Sequence, residues 1–109
     1  MNNLRYEGYQ VTKQEVVGDL PMPWHPIVSN LIDDLFELGW DGDIHQVKEK
    51  FGALRFYIGQ GSDEIFDRID EAEGQTRKVC INCGKDAVGT SKGWVRYLCA
   101  KCLRKSNES

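Results

Sequence analysis

The chain has 109 residues, of which 40% are hydrophobic and 28% charged, and its formal net charge is −3. This composition is typical of a globular protein and excludes an intrinsically disordered chain. The sequence has no run of about 18 apolar residues, so we expect no membrane-spanning segment. The N-terminus lacks a basic segment followed by an apolar one, so we expect no secretory signal and a cytoplasmic location.

The charges are distributed unevenly along the chain. Residues 1–75 contain 6 Lys/Arg and 15 Asp/Glu, a net charge of −9, whereas residues 76–109 contain 8 Lys/Arg and 2 Asp/Glu, a net charge of +6. Such an asymmetry indicates either a charged partner or docking of the two parts on each other. We therefore predict an acidic α+β body over residues 1–75 and a basic module over residues 76–109, docked as one compact unit.

The first elements of the body are predicted from periodicity. Residues 4–17 alternate loosely and contain β-forming side chains, which predicts a short strand or arm. Apolar residues between Ile27 and Leu38 then recur at three- and four-residue steps, which predicts an amphipathic helix ending at Gly39. We expect Trp40 to fold back on the last helical turn as the apolar partner of a C-cap.

A second helix is predicted later in the body. Ser62 is a good N-cap residue, and it precedes two acidic residues where the helix dipole favours them. Ile65, Ile69 and Ala72 form the predicted buried stripe of this helix. We interpret the carboxylates of residues 63–73 as a solvated helix face.

Between the two helices, residues 44–50 and 53–58 predict two strands joined around Phe51-Gly52. A two-residue turn would place Lys48 opposite Arg55 and gather Lys50 and Tyr57 on the same face, where an anion or an acidic protein loop could bind. Phe is a poor choice for the positive φ of such a turn, so a three-residue loop is the easier geometry. In that register the cations are split between faces and only keep the hairpin soluble.

The most specific pattern in the sequence is Cys80-x2-Cys83 followed, after 15 residues, by Cys99-x2-Cys102. Two such pairs at this spacing are typical of a four-thiolate zinc site, since each pair lets one tight turn aim two sulfurs at one metal ion. A redox Cys-x-x-Cys would explain one pair but not two. We predict zinc as the cofactor, with a β-hairpin between the pairs and a short helix after them.

The predicted fold class is therefore α+β, with a small antiparallel hairpin, two helices and a C-terminal module of zinc-ribbon or treble-clef type. Lys92, Arg96 and Tyr97 in that module are candidates for a nucleic-acid contact. Trp94 is expected to pack on the cysteine pairs as a lid rather than to stack on a base. Neither histidine lies in a nucleophile pattern and no phosphate-binding glycine loop is present, so we do not expect an enzyme.

Two blocks of the sequence together resemble a known group. The segment QVKEKFGALRFYI, followed by C-x2-CG, GW and LC-x2-C, is similar to uncharacterised small proteins encoded in phages and prophages, and the resemblance spans residues 24–102. It implies a zinc module and a phage-type protein acting in a host bacterial cell.

Three hypotheses for function follow. The first is a zinc-stapled binding protein acting on a host macromolecule, a host protein above all, for instance as an inhibitor of host defence. The second is a binder of a nucleotide or small anion through Lys48, Lys50, Arg55 and Tyr57. The third is a nucleic-acid-binding zinc module, which the net acidity of the whole chain disfavours.

Overall fold

The computed structural model describes residues 3–91, 93 and 95–107. The helices within this part of the chain are α1 (Lys13–Gly18), α2 (His25–Glu37), α3 (Asp63–Thr76) and α4 (Ala100–Asn107), and a 3-10 turn at Met22–Trp24 precedes α2. The strands are β1 (Arg5–Tyr6), β2 (Tyr9–Gln10), β3 (Asp43–Lys50), β4 (Ala53–Ile58), β5 (Gly89–Thr90) and β6 (Tyr97–Leu98). No helix among these residues is long and apolar enough to cross a bilayer.

The main sheet has the strand order β2-β1-β3-β4. Strand β1 pairs antiparallel with β2 and parallel with β3, and β3 pairs antiparallel with β4. The predicted α+β class and the β3–β4 hairpin are confirmed. The sheet is mixed rather than purely antiparallel, because β1 pairs parallel with β3.

The prediction for residues 4–17 is only partly right, because residues 13–18 form helix α1 instead of a strand or arm. Thr12 caps this helix: its side chain accepts a hydrogen bond from the Glu15 N–H, and the Glu15 carboxylate accepts one from the Thr12 N–H. This reciprocal capping box fixes the start of the helix. Val16 and Val17 are buried in the core, and this burial outweighs their β-forming tendency.

One hydrophobic core lies between the sheet and helices α1, α2 and α3. Its fully buried members include Trp24, Leu31, Leu35, Ile44 and Leu54. Helix α2 ends as predicted. The N–H of Trp40 donates to Leu35 O and that of Gly39 to Phe36 O, with Gly39 at φ +96°, which is a Schellman cap. Trp40 is buried beside Phe36.

Helix α3 packs along β4 and covers the edge of the sheet that this strand forms. Ser62 caps the helix by accepting a hydrogen bond from the Ile65 N–H, as predicted. The outward N–H groups of Leu54 and Phe56 donate to the Thr76 hydroxyl (3.1 Å) and the Glu73 carboxylate (2.9 Å). These two side chains satisfy backbone donors that an unpaired edge strand would otherwise present to another chain.

The C-terminal module, called the cysteine module below, follows α3. It consists of the Cys80–Cys83 turn, the β5–β6 hairpin and helix α4, which confirms the predicted hairpin and helix. Its own buried cluster contains Cys80, Leu98 and Cys99. Ile81 packs against this cluster and also against the main core, so the module rests on the body.

Candidate metal centre and cationic face

Two turns of the cysteine module position the four cysteines. In the first, the Gly84 N–H donates to Cys80 O (2.9 Å), and the Cys80 N–H donates to Lys85 O (2.6 Å). Gly84 has φ +82°, a conformation that glycine adopts without strain. Cys99 and Cys102 lie at the start of α4, where the Leu103 N–H donates to Cys99 O.

The four sulfur atoms converge on one point. All of them lie within 4.8 Å of one another, and the Cys83 and Cys99 Sγ atoms are 3.5 Å apart. A regular tetrahedron of metal–sulfur bonds near 2.3 Å has edges of about 3.8 Å, so the cluster has room for one tetrahedral ion. The predicted ligand set, Cys80, Cys83, Cys99 and Cys102, is therefore a cluster compatible with metal binding.

The chemistry of the sulfurs also suits a cation. Burial raises the pKa of the Cys80 thiol, but backbone N–H groups of Cys99, Cys83 and Asn82 outweigh it and lower the pKa to about 6. Hydrogen bonds to the Cys99 and Cys80 sulfurs raise the pKa of Cys102 to about 12. Without a metal the four sulfurs must share protons, and a metal ion binds by replacing those protons.

The donor set indicates a structural site rather than a catalytic one. Four thiolates fill a tetrahedral coordination shell, whereas a catalytic zinc keeps one position open for water or substrate. The four cysteines are free thiols rather than disulfides. Cys80 and Cys99 are buried and Cys83 is exposed, so the cluster lies at the surface of the module with its inner half shielded.

The hairpin register differs from the expected one. Lys48 pairs with Arg55, Gln46 with Tyr57, and Lys50 with Ala53. The connection is thus the two-residue turn Phe51-Gly52, and the three-residue loop was wrong. Because directly opposite residues share a face, the structure gathers the predicted binding residues in what we call the cationic face: Lys48, Lys50, Arg55 and Tyr57.

Two contacts explain why this turn forms despite Phe51. Phe51 and Gly52 both have positive φ, +54° and +79°, as a primed turn requires. The Glu49 carboxylate accepts a hydrogen bond from the Gly52 N–H (2.8 Å). Gly52 also lies so close to the cysteine module that a Cβ atom there would be 2.8 Å from Val95 O and 3.1 Å from Arg96 Cα. The module and the turn therefore fix each other's position.

This contact brings together two groups that the sequence analysis treated separately. Arg96 and Tyr97, predicted as a nucleic-acid contact, lie beside the turn at one end of the cationic face. Lys92, the third member of that group, and Trp94, the predicted lid, lie outside the described residues. Sequence reasoning missed the role of Gly52 as the junction. The available signal was a Gly in a hairpin turn. It did not reveal the neighbours of Gly52, because Val95 and Arg96 belong to a distant segment.

The cations of the face have no carboxylate partner within the described part of the chain. The ion pairs found there use other cations: Arg5 with Asp43, Lys13 with Asp33, and Arg68 with Asp34. The acidic residues of α3 are exposed, apart from half-buried Glu73, which agrees with the predicted solvated face. No ion pair joins α3 to the cysteine module among the described residues. The module contacts the body through Ile81 and through the turn at Gly52.

Comparison with known proteins finds no matching family model and no similar curated protein or solved structure. The resemblance to phage and prophage proteins therefore stays a prediction. The function has to be argued from the two features described above, the cysteine cluster and the cationic face.

Proposed function

We propose that the chain is a non-catalytic binding protein, stapled by zinc, that recognises an anionic surface of a host macromolecule through the cationic face. The observation that carries this proposal is the pairing of Lys48 with Arg55. Like charges directly opposite each other on a sheet lower its stability. The repulsion between Lys48 and Arg55 lowers the stability of the free protein. A bound anion would offset this repulsion, which explains why the pair is present.

The form of the face supports a macromolecular partner over a small one. Small-molecule sites are concave and enclose most of their ligand. The cationic face is instead one side of the β3–β4 hairpin, where Tyr57 is 45% exposed, Lys50 is exposed, and Lys48 and Arg55 are half-buried. A strand surface of this kind suits another large surface better than it suits a nucleotide or a small anion.

The cysteine cluster supports zinc as the ion and a structural role for it. Thiolates select soft or borderline metal ions, and Zn²⁺ accepts a tetrahedral shell without a geometric preference of its own. The bound ion would hold the Cys80–Cys83 turn against the start of α4, and with it the segment that touches Gly52. The resemblance to phage proteins is the reason for placing the partner in the cytoplasm of a host bacterial cell.

The proposal is tested by capture of partners from bacterial lysate with tagged protein. Lys48→Gln and Arg55→Gln should each reduce recovery of the partner, because each removes a charge-assisted contact. Lys13→Gln is the matched control, since Lys13 carries the same charge on α1, where it pairs with Asp33. Equal recovery by wild type and all three variants would contradict the proposal, provided that melting curves show folded protein in each case.

A further inference from the structure

A further cationic residue lies beside the turn of the hairpin. Arg96 lies next to the turn, with its Cα 3.1 Å from the position of a Cβ on Gly52. Lys48, Lys50 and Arg55 follow along the two strands from that end. Successive pairs on one face of a strand are separated by about 6.6 Å, so the cations form a row rather than a point. A row of cations is suited to a chain of anions.

Exposed aromatic side chains lie at both ends of this row. Phe51 at the turn is 61% exposed, and Tyr57 on β4 is 45% exposed. The Nζ atom of Lys50 is 5.6 Å from the centre of the Phe51 ring, so a cation and an aromatic surface lie side by side. Cations that contact phosphates, combined with aromatic side chains on which bases stack, are what proteins use to bind single strands.

The backbone at Phe51 gives a separate indication. A phenylalanine at φ +54° is strained, whereas Asn or Gly at this position of a primed turn is not. The ring is mostly exposed, so packing within the protein does not explain its presence. Strained residues that persist on a rigid scaffold are concentrated at binding sites. Phe51 is therefore better explained by a contact with a ligand than by the stability of the hairpin.

We propose, on the basis of the proposed function, that the anionic macromolecule is single-stranded nucleic acid. Bases stack on Phe51 and Tyr57, and phosphates bind Lys48, Arg55 and Arg96. An intact duplex is disfavoured, because its bases are already stacked and the acidic body would repel its dense charge. An acidic protein would use the cations but would leave the two exposed rings without a specific role.

The test measures binding of fluorescently labelled oligothymidylate and oligouridylate by anisotropy at several salt concentrations. Contact with three or four phosphates predicts a slope of about −2 to −3 in log K against log salt, since each phosphate on a single strand contributes about −0.7. Lys48→Gln should weaken binding and reduce that slope by about 0.7. Lys13→Gln, which removes the same charge from α1, should change neither quantity.

Phe51→Asn gives the sharper result because its two effects differ in sign. The Asn-Gly turn should raise the melting temperature, whereas loss of a stacking surface should weaken single-strand binding by about tenfold with an unchanged salt slope. Tyr9→Asn removes another exposed aromatic ring, 77% exposed on β2, and should leave binding unchanged. Phe51→Gly provides a second variant with the same expected signs if the first folds poorly.

Three results would overturn the inference: no single-strand binding by folded wild type at low salt, duplex binding as tight as single-strand binding, or full affinity in Phe51→Asn. Repeating the lysate capture after nuclease treatment tests the proposed function independently of the nucleic-acid inference. If a protein is still recovered and is lost with Lys48→Gln and Arg55→Gln, then the nucleic-acid inference is wrong and the proposed function stands. If neither variant changes the recovery of a partner, then the proposed function and the nucleic-acid inference are both wrong.

Discussion

Among the described residues, the body buries 16 hydrophobic side chains in one core formed by the sheet and three helices, whereas the cluster of the cysteine module contains three buried residues, Cys80, Leu98 and Cys99. Two of those three residues are candidate metal ligands. A cluster of this size cannot offset the conformational entropy of ordering about thirty residues. The body is therefore stabilised by burial of apolar surface, and we propose that an ion bound by the four cysteines stabilises the module.

The two regions depend on each other at their junction. The turn that displays Phe51 and the cationic face lies against Val95 and Arg96 of the module. A metal ion that orders the module therefore also supports one end of the hairpin. The candidate binding surface therefore depends on both regions: the body supplies the strands, and Val95 and Arg96 of the module lie against their turn.

Removal of the metal should have the largest effect. Purified protein is expected to carry about one zinc ion per chain, and Cys83→Ser should lose it and unfold the module, because the binding free energy of the ion is the folding free energy of that segment. Metal content and circular dichroism measure the two effects. Asn82→Ser places the same residue one position away without touching a ligand and should keep the metal. Metal-free wild-type protein with an ordered module would contradict this prediction.

Substitution at the junction should have the next largest effect. Gly52→Ala adds a Cβ at positive φ and only 2.8 Å from Val95 O, and should lower the free energy of unfolding by about 2–3 kcal/mol. Gly8→Ala is the matched control, because Gly8 has φ +87° but no atom within 4 Å of an added Cβ. The difference between the two variants, measured by denaturant unfolding, isolates the close approach. Equal losses would show that the turn and the module do not constrain each other.

A substitution at the sheet edge should affect the body alone. Thr76→Val removes the hydroxyl that accepts from the Leu54 N–H in a fully buried position, and should cost about 1–3 kcal/mol. Thr76→Ser keeps the hydroxyl and should cost less. Denaturant unfolding with and without chelator should give the same loss in both states. A loss that appears only with metal bound would mean that the two regions are not stabilised separately.

The smallest expected effect is at the cationic face. Lys48→Gln relieves the repulsion with Arg55 and should raise the free energy of unfolding by no more than about 0.5 kcal/mol. Lys13→Gln breaks an exposed ion pair and should lower it by a similarly small amount. The sign of the change, read from matched thermal melts, is the informative quantity. A clear loss of stability in Lys48→Gln would indicate that Lys48 has a partner within the fold.

Local signals predicted much of this fold. The Schellman cap at Gly39-Trp40 and the N-cap at Ser62 each depend on residues close together in sequence, and the structure confirms them. The spacing of the cysteines also predicted a four-sulfur site, and the structure shows that the four sulfurs converge. Helix α1 was missed although Thr12 and Glu15 have the spacing of a capping box. The β-forming residues around them pointed to a strand, and only the tertiary burial of Val16 and Val17 decides between the two.

The hairpin register could not be predicted in the same way. Local preference correctly disfavours Phe51 at positive φ, and the structure adopts that conformation nevertheless. The deciding contacts come from the Glu49 carboxylate and from residues 95–96, more than forty positions along the chain. A contact between such distant segments leaves no trace in local periodicity. The same contact places Arg96 beside the turn of the hairpin. Local sequence therefore could not predict this part of the candidate site either.

We propose above all that burial stabilises the body and that a metal ion bound by the four cysteines stabilises the cysteine module. Amide hydrogen exchange, measured before and after chelation on protein of known metal content, tests it most directly. We expect residues 78–105 to lose protection after chelation, while α2, α3 and the β3–β4 strands keep theirs, with some loss at Phe51-Gly52. Unchanged protection of the cysteine module in metal-free protein, or simultaneous loss of protection across the whole body, would contradict the claim.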